Sequence, residues 1–135
     1  MGRPVLILVD THVVVWLAFD QTRLSKMARA TIEGSRLKGE PVAISGITLF
    51  ELARALNRER TQLAVSLEFA LAEVERRFVV LPITGRISLR TLSLPAAYPK
   101  DPADRIIGAT ALIENVPLVT ADRQIRNSRA LPTIW

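Results

Sequence analysis

Four acidic residues stand where an α/β protein keeps its chemistry. Asp10 closes the apolar run Pro4–Val9, and Asp122 follows the apolar segment Pro117–Thr120 by two residues. Apolar runs of this kind read as strands buried on both faces. In parallel sheets, ligands gather outside the carboxyl ends of the strands. Central, parallel placement of these two segments therefore brings Asp10 and Asp122 to one edge. Asp104 lies in the first turn of a helix read over Ala103–Glu114, sharing a face with Ile107, Gly108 and Ala111. Those residues are mostly small, so the helix can approach the sheet closely there. Glu51 lies about 200° around its helix from Leu49, off the apolar stripe, facing either solvent or a cleft. Four carboxylates in one cleft repel one another, and at least one takes up a proton unless a cation is present. Oxygen donors suit Mg2+ or Mn2+. With no cysteine and one histidine, the chain offers no zinc set. Such a site polarises a phosphodiester and activates water for in-line attack.

Each acid also has a simpler explanation. Asp10 fits the N-cap of a helix starting at Thr11. Asp101, Pro102 and Asp104 make a good helix start, with Asp101 better read as a cap than as a ligand. Asp122 fits a turn or cap, and Glu51 a solvated helix acid. The four together carry the metal-site reading. His12 is better read as packing or hydrogen-bonding than as a general base, because two-metal chemistry needs no histidine. Trp16 and Trp135 read as core or interface residues. Arg54, Arg58 and Arg60 fit a solvated face, an RNA track or a dimer edge equally well. Arg105, beside Asp104, fits a groove residue or the partner of a nearby acid.

The elements that must position these residues alternate between strand and helix. After the first strand, Val13–Leu17 is ambiguous: its β-branched residues favour strand, and its place after Asp10 favours helix. Ser25–Lys38 reads as a helix stopped by Gly39, and Pro41–Ser45 as a short strand. Leu49, Leu52, Ala53 and Leu56 form one helical stripe, and Leu63, Leu67, Ala70, Leu71 and Val74 a second. Phe78–Ile83 reads as strand, Thr84–Leu94 as a short helix and Pro95–Pro102 as a proline-rich loop. Ala103–Glu114 is apolar nearly all round and is expected to be buried. Pro117–Thr120 and Pro132–Trp135 complete the strands. This order predicts a parallel sheet covered on both faces.

With 135 residues and 49% apolar composition, residues 1–135 form one domain with a sizeable core, not a disordered chain. Absence of cysteine excludes disulfides and fits a reducing, cytoplasmic setting. No apolar run reaches the roughly 18 residues of a membrane span. Val5–Leu17 is broken by Asp10 and His12 and lacks the small-residue cleavage site of a signal peptide. The net charge of +5, carried mostly by arginine, points to a polyanion partner.

Four motifs in order resemble the PIN-domain nucleases, and among them the VapC toxins of toxin–antitoxin pairs. They are LILVDTHVVVWL at 6–17, ISGITLFELA at 44–53, DPADRIIGATAL at 101–112 and LVTADRQI at 118–125. The resemblance implies a three-layer α/β/α fold with a central, mainly parallel sheet, and Mg2+- or Mn2+-dependent cleavage of RNA. It places an acidic tetrad on Asp10, Glu51, Asp104 and Asp122, with Thr120 in the family's Ser/Thr position. It also implies a homodimer held inactive by a cognate VapB-like antitoxin whose C-terminal tail enters the active-site groove. The third motif departs from the usual pattern: Ala103 stands where an aromatic is common, and Tyr98, Pro99 and Lys100 stand where a histidine often precedes. Neither change removes an acid; both bear on the substrate groove.

Other classes fit less well. A haloacid-dehalogenase-type phosphatase needs a second aspartate two residues after the first, and that position is His12. A phosphoacceptor receiver needs an acidic pair before its first helix and a late strand-end lysine, and neither is in place. A non-catalytic PIN-like RNA- or protein-binding module is the remaining alternative, and the intact tetrad argues against it.

Overall fold

The computed structural model describes residues 4–135, the side chain of Arg60 excepted. Five short strands, β1 (Ile7–Val9), β2 (Val42–Ser45), β3 (Val79–Leu81), β4 (Leu118–Val119) and β5 (Thr133–Ile134), form one sheet in the order β3-β2-β1-β4-β5. Every pairing is parallel. Seven α-helices connect them: α1 (Thr11–Phe19), α2 (Lys26–Leu37), α3 (Gly46–Arg58), α4 (Leu67–Arg77), α5 (Gly85–Arg90), α6 (Pro102–Glu114) and α7 (Arg123–Ser128).

Alternation along the strands divides the core into two layers. Ile7, Val9, Val42, Ile44 and Val119 face α1, α2, α3 and α4, where Val13, Val14, Ala28, Ile32 and Leu52 are buried. Leu8, Ala43 and Leu118 face the other way, onto Tyr98, Ile107 and Ala111 and onto Ile125 of α7. The result is the expected α/β/α sandwich. The chain builds β1, β2 and β3 outward, then crosses back to lay β4 on the other side of β1. The β1–β4 boundary is therefore the switch point, where strand carboxyl ends open a crevice.

Several local expectations are corrected. The first strand is Ile7–Val9, shorter than the apolar run, and Val13–Leu17 is helical. Its β-branched residues yield because the Asp10 carboxylate caps α1 and Val13 and Val14 pack into the core. Leu63 lies outside α4, which starts at Leu67 after the Ser66 cap. The helix read over Thr84–Leu94 shortens to α5 and then tightens into a 3-10 turn at Thr91–Ser93. In α6 only the central run Ile107–Ala111 is fully buried. Helix α7 has a single buried residue, Ile125, and so lacks an apolar stripe that periodicity detects.

Candidate active site

The sheet's carboxyl edge gathers the acids. Asp10 follows β1 directly and is 5% exposed. Its Oδ1 accepts from the Thr11 backbone N–H at 2.8 Å, and its Oδ2 accepts from the Thr120 hydroxyl at 2.7 Å. Thr120 Oγ1 in turn accepts from the Asp122 backbone N–H at 3.1 Å. The Asp122 carboxylate caps α7, accepting from the Ile125 N–H at 2.9 Å. Asp101 caps α6 and accepts from the Asp104 N–H at 3.1 Å, which sets Asp104 in the first turn. Capping and clustering therefore coexist: three helix N-termini, whose partial positive charge favours anions, converge where the acids collect.

Glu51 is held from across the site. The Thr11 hydroxyl donates to its Oε1 at 2.6 Å and lies 2.9 Å from the fully buried Thr48 hydroxyl. A carboxylate only accepts, and Thr11 has one proton to give. With Glu51 ionised, the relay therefore runs from Thr48 to Thr11 to Glu51. The glutamate is half-buried and turned to this relay, not to solvent.

The electrostatics reflect crowding. Burial pushes the Asp10 carboxyl up, opposed by the Thr120 and Thr11 hydrogen bonds and by His12. Asp104 is pushed up to about 7, first by burial and then by the charges of Asp10, Asp101, Asp122 and Glu51. Asp10, Asp101, Asp122 and Glu51 thus all act on Asp104, and Asp122 acts on Asp10. As the side chains stand, however, no three carboxylates among the described residues already surround one point as a cation site. The donor set is nonetheless all oxygen, and its mutual repulsion is what a hard divalent cation relieves.

Neighbouring residues differ from expectation. Arg105 makes no ion pair with an acid among the described residues: its guanidinium donates to the Pro99 and Thr91 carbonyls, each at 3.1 Å, tying α6 to the preceding loop. His12 is exposed on the first turn of α1 and makes no hydrogen bond among the described residues; its ring lies against Trp16, so of the roles expected it keeps only packing. Arg54 and Arg58 are exposed; the Arg60 side chain is outside what is described. Trp16 and Trp135 are half-buried against the first core layer, as expected of packing residues. The sequence reading missed Thr11, Thr48 and Tyr98. Thr48 precedes Glu51 by three residues on one helix face, a spacing that brings side chains together. The Tyr98 hydroxyl donates to the Asp104 carbonyl at 2.6 Å.

The family model described as PIN domain matches residues 7–130. The chain belongs to the PIN-domain family. Within it, the chain is 36% identical over 131 residues to Ribonuclease VapC22 of Mycobacterium tuberculosis (strain ATCC 25618 / H37Rv), covering 96% of this chain and 98% of that protein. Among solved structures, VapBC2 from Rickettsia felis bound to a promoter DNA fragment superposes with a TM-score of 0.73 at 18% identity, covering 95% of this chain and 96% of that one. DNA-bound VapBC from Salmonella typhimurium gives 0.70 at 21% identity, covering 96% of both. These superpositions show the PIN fold. The match spans the four acid-bearing motifs of this PIN domain.

Proposed function

We propose that this PIN domain is an endoribonuclease that hydrolyses RNA phosphodiester bonds with Mg2+ or Mn2+ held by Asp10, Glu51, Asp104 and Asp122, and that it is the toxin of a VapBC-type toxin–antitoxin system. The observation that carries the reading is the bond network that joins Asp10 to Asp122 through Thr120 and to Glu51 through Thr11, with Asp104 close enough to be repelled by all three. The 36% identity to a protein named as a ribonuclease supports it. A bound divalent cation would supply the charge that lets the acids ionise together, polarise the phosphodiester and make water nucleophilic near neutral pH.

The chain's own residues prepare that chemistry. Thr120 fixes Asp10 against β4 and, through its oxygen, the Asp122 backbone. Thr11 and Thr48 aim Glu51. Asp104, with a carboxyl pushed up to about 7, is about half protonated at neutral pH in the metal-free protein, and a bound cation would favour its ionised form.

The partner in this reading is a VapB-like antitoxin. A groove of about 380 Å³ beside α1, α3 and α4 supports it, lined by Val14, Leu52, Leu56 and Val74 together with Arg36, Arg77 and Glu73, the last paired with Arg77 at 3.4 Å. Its apolar floor suits the apolar face of an amphipathic segment, with Arg36 at its rim for an acidic side chain. The same reading has the protein in the cytoplasm and pairs two copies, which light scattering tests. The second reading is a non-catalytic PIN-like RNA- or protein-binding module.

Incubating antitoxin-free protein with cellular RNA in Mg2+, Mn2+ or chelator separates the two. Discrete cleavage that needs metal, Asp10 and Asp122, lost in Asp10→Asn and Asp122→Asn, supports the nuclease. A folded protein that neither cuts RNA nor titrates a divalent ion refutes it.

A further inference from the structure

The carboxyl edge of the sheet carries a second group of side chains beside the acids. His12 lies two residues beyond Asp10, and its ring centroid is 6.0 Å from that of Trp16, one helical turn on. Trp16 stands 5.8 Å from Trp135. Trp135 directly follows β5, which runs parallel to β4 with Val119 opposite Ile134, so Trp135 emerges at the same edge as Thr120. Arg23, from the turn after α1, places its guanidinium 5.2 Å from the centre of the Trp16 ring. The four residues thus form one aromatic and cationic cluster flanking the acids on the β4–β5 side.

Packing accounts for only part of this cluster. Trp16 and Trp135 are anchored on the first core layer, which holds them rigid. His12 and Arg23 are exposed. Among the described residues His12 makes no hydrogen bond and Arg23 no ion pair. An exposed ring on a rigid indole platform, with a guanidinium held over that platform and bonded to no acid among the described residues, fits the needs of single-stranded nucleic acid: a π-face for a base and a cation for a phosphate. The chain's net charge of +5 favours a polyanion over a protein segment here.

We propose that His12, Trp16, Trp135 and Arg23 form a stacking subsite for an unpaired nucleobase of RNA, next to the phosphodiester at the acids. This rests on the nuclease reading and adds to it. A paired base keeps its faces inside the helix, so the subsite selects single-stranded or looped RNA at the cleavage point.

The chain has two tryptophans, both in this cluster, so intrinsic tryptophan emission reports on it alone. The experiment uses the full chain with Asp104→Asn and Mg2+, titrated with a short oligoadenylate and with its abasic counterpart. Tryptophan emission and the anisotropy of a labelled oligonucleotide are read together. Expected are strong quenching by the oligoadenylate and little by the abasic strand. His12→Ala and Arg23→Ala, both surface changes, should each weaken binding about five- to twenty-fold. His12→Tyr should restore it, since a ring and not a charge is required. Oligoadenylate binding with unchanged emission, and equal affinity in His12→Ala, would overturn the subsite and leave the nuclease reading standing. Quenching by an acidic peptide but by no oligonucleotide would also overturn it. Failure of the unaltered chain to bind or cut any RNA would instead defeat the nuclease reading.

Discussion

The Tyr98 ring fills the space in which a side chain on Gly108 would lie. A Cβ built on Gly108 falls 2.6 Å from Tyr98 Cζ, closer than real carbon contacts come. Tyr98 is fully buried and its hydroxyl is bonded to the Asp104 carbonyl, so it has no room to swing away. This contact sets how closely the start of α6 packs on the loop before it, and so where Asp104 stands. Gly108→Ala should destabilise the chain by about 1–3 kcal/mol through overpacking. Urea denaturation measures this; an unchanged midpoint would show that α6 relaxes freely.

Thr120→Val should loosen the link between Asp10 and Asp122. The methyl has the hydroxyl's size but neither donates to Asp10 Oδ2 nor accepts from the Asp122 N–H. Partners that orient ligand side chains are worth roughly 10- to 100-fold in metal affinity. Calorimetric titration with Mn2+ should therefore show that loss in a protein that still folds. Wild-type affinity would remove Thr120 from the site.

Thr48→Val tests the relay that reaches Glu51. It takes away the hydroxyl that donates to Thr11 Oγ1, so Thr11 still donates to the glutamate but its own oxygen loses the bond that helps hold it in place. The stability cost is about 1 kcal/mol, that of one buried hydrogen bond. Mn2+ affinity should fall several-fold, and Thr48→Ser should restore it because the hydroxyl returns. A defect that serine does not rescue would assign Thr48 to packing alone.

Asp104 gives the metal-free protein a stability that depends on pH. Its carboxyl, near 7 in the folded chain, lies above the ordinary value of about 4 in the unfolded one. Between these values the folded state keeps a proton that the unfolded state has released. Stability is therefore full below the ordinary carboxylate range and is lost as pH rises toward about 7. Burial of Asp10 acts in the same direction. In chelator, urea midpoints should fall from about pH 5 to about pH 8 and then level off. Asp104→Asn should flatten the slope and exceed the wild type at the alkaline end. A wild-type midpoint that climbs with pH would contradict the crowding of acids described above.

Much of the architecture was legible in the sequence because it rests on local chemistry and period. The continuous apolar runs ending at Val9 and near Val119 marked the inner strands, and the acids after them followed from parallel topology. The caps at Ser25, Asp101 and Asp122 were residue types that satisfy a helix's free N–H groups. What tertiary structure alone decided lies in contacts between distant segments. Whether Val13–Leu17 was strand or helix depended on the core it packed into. Helix α7 follows from the Asp122 cap and one buried isoleucine, too little for a periodic signal. The direction of Glu51 was set by a hydroxyl 40 residues away, and the anchoring of Asp10 by one 110 residues away. Arg105 went to the backbone carbonyls of Thr91 and Pro99, whose positions beside α6 only the folded chain sets. Spacing along a chain fixes which faces its residues share within an element. Distances between elements arise only when the sheet order brings β4 back against β1, and no pattern in the sequence encodes those distances directly.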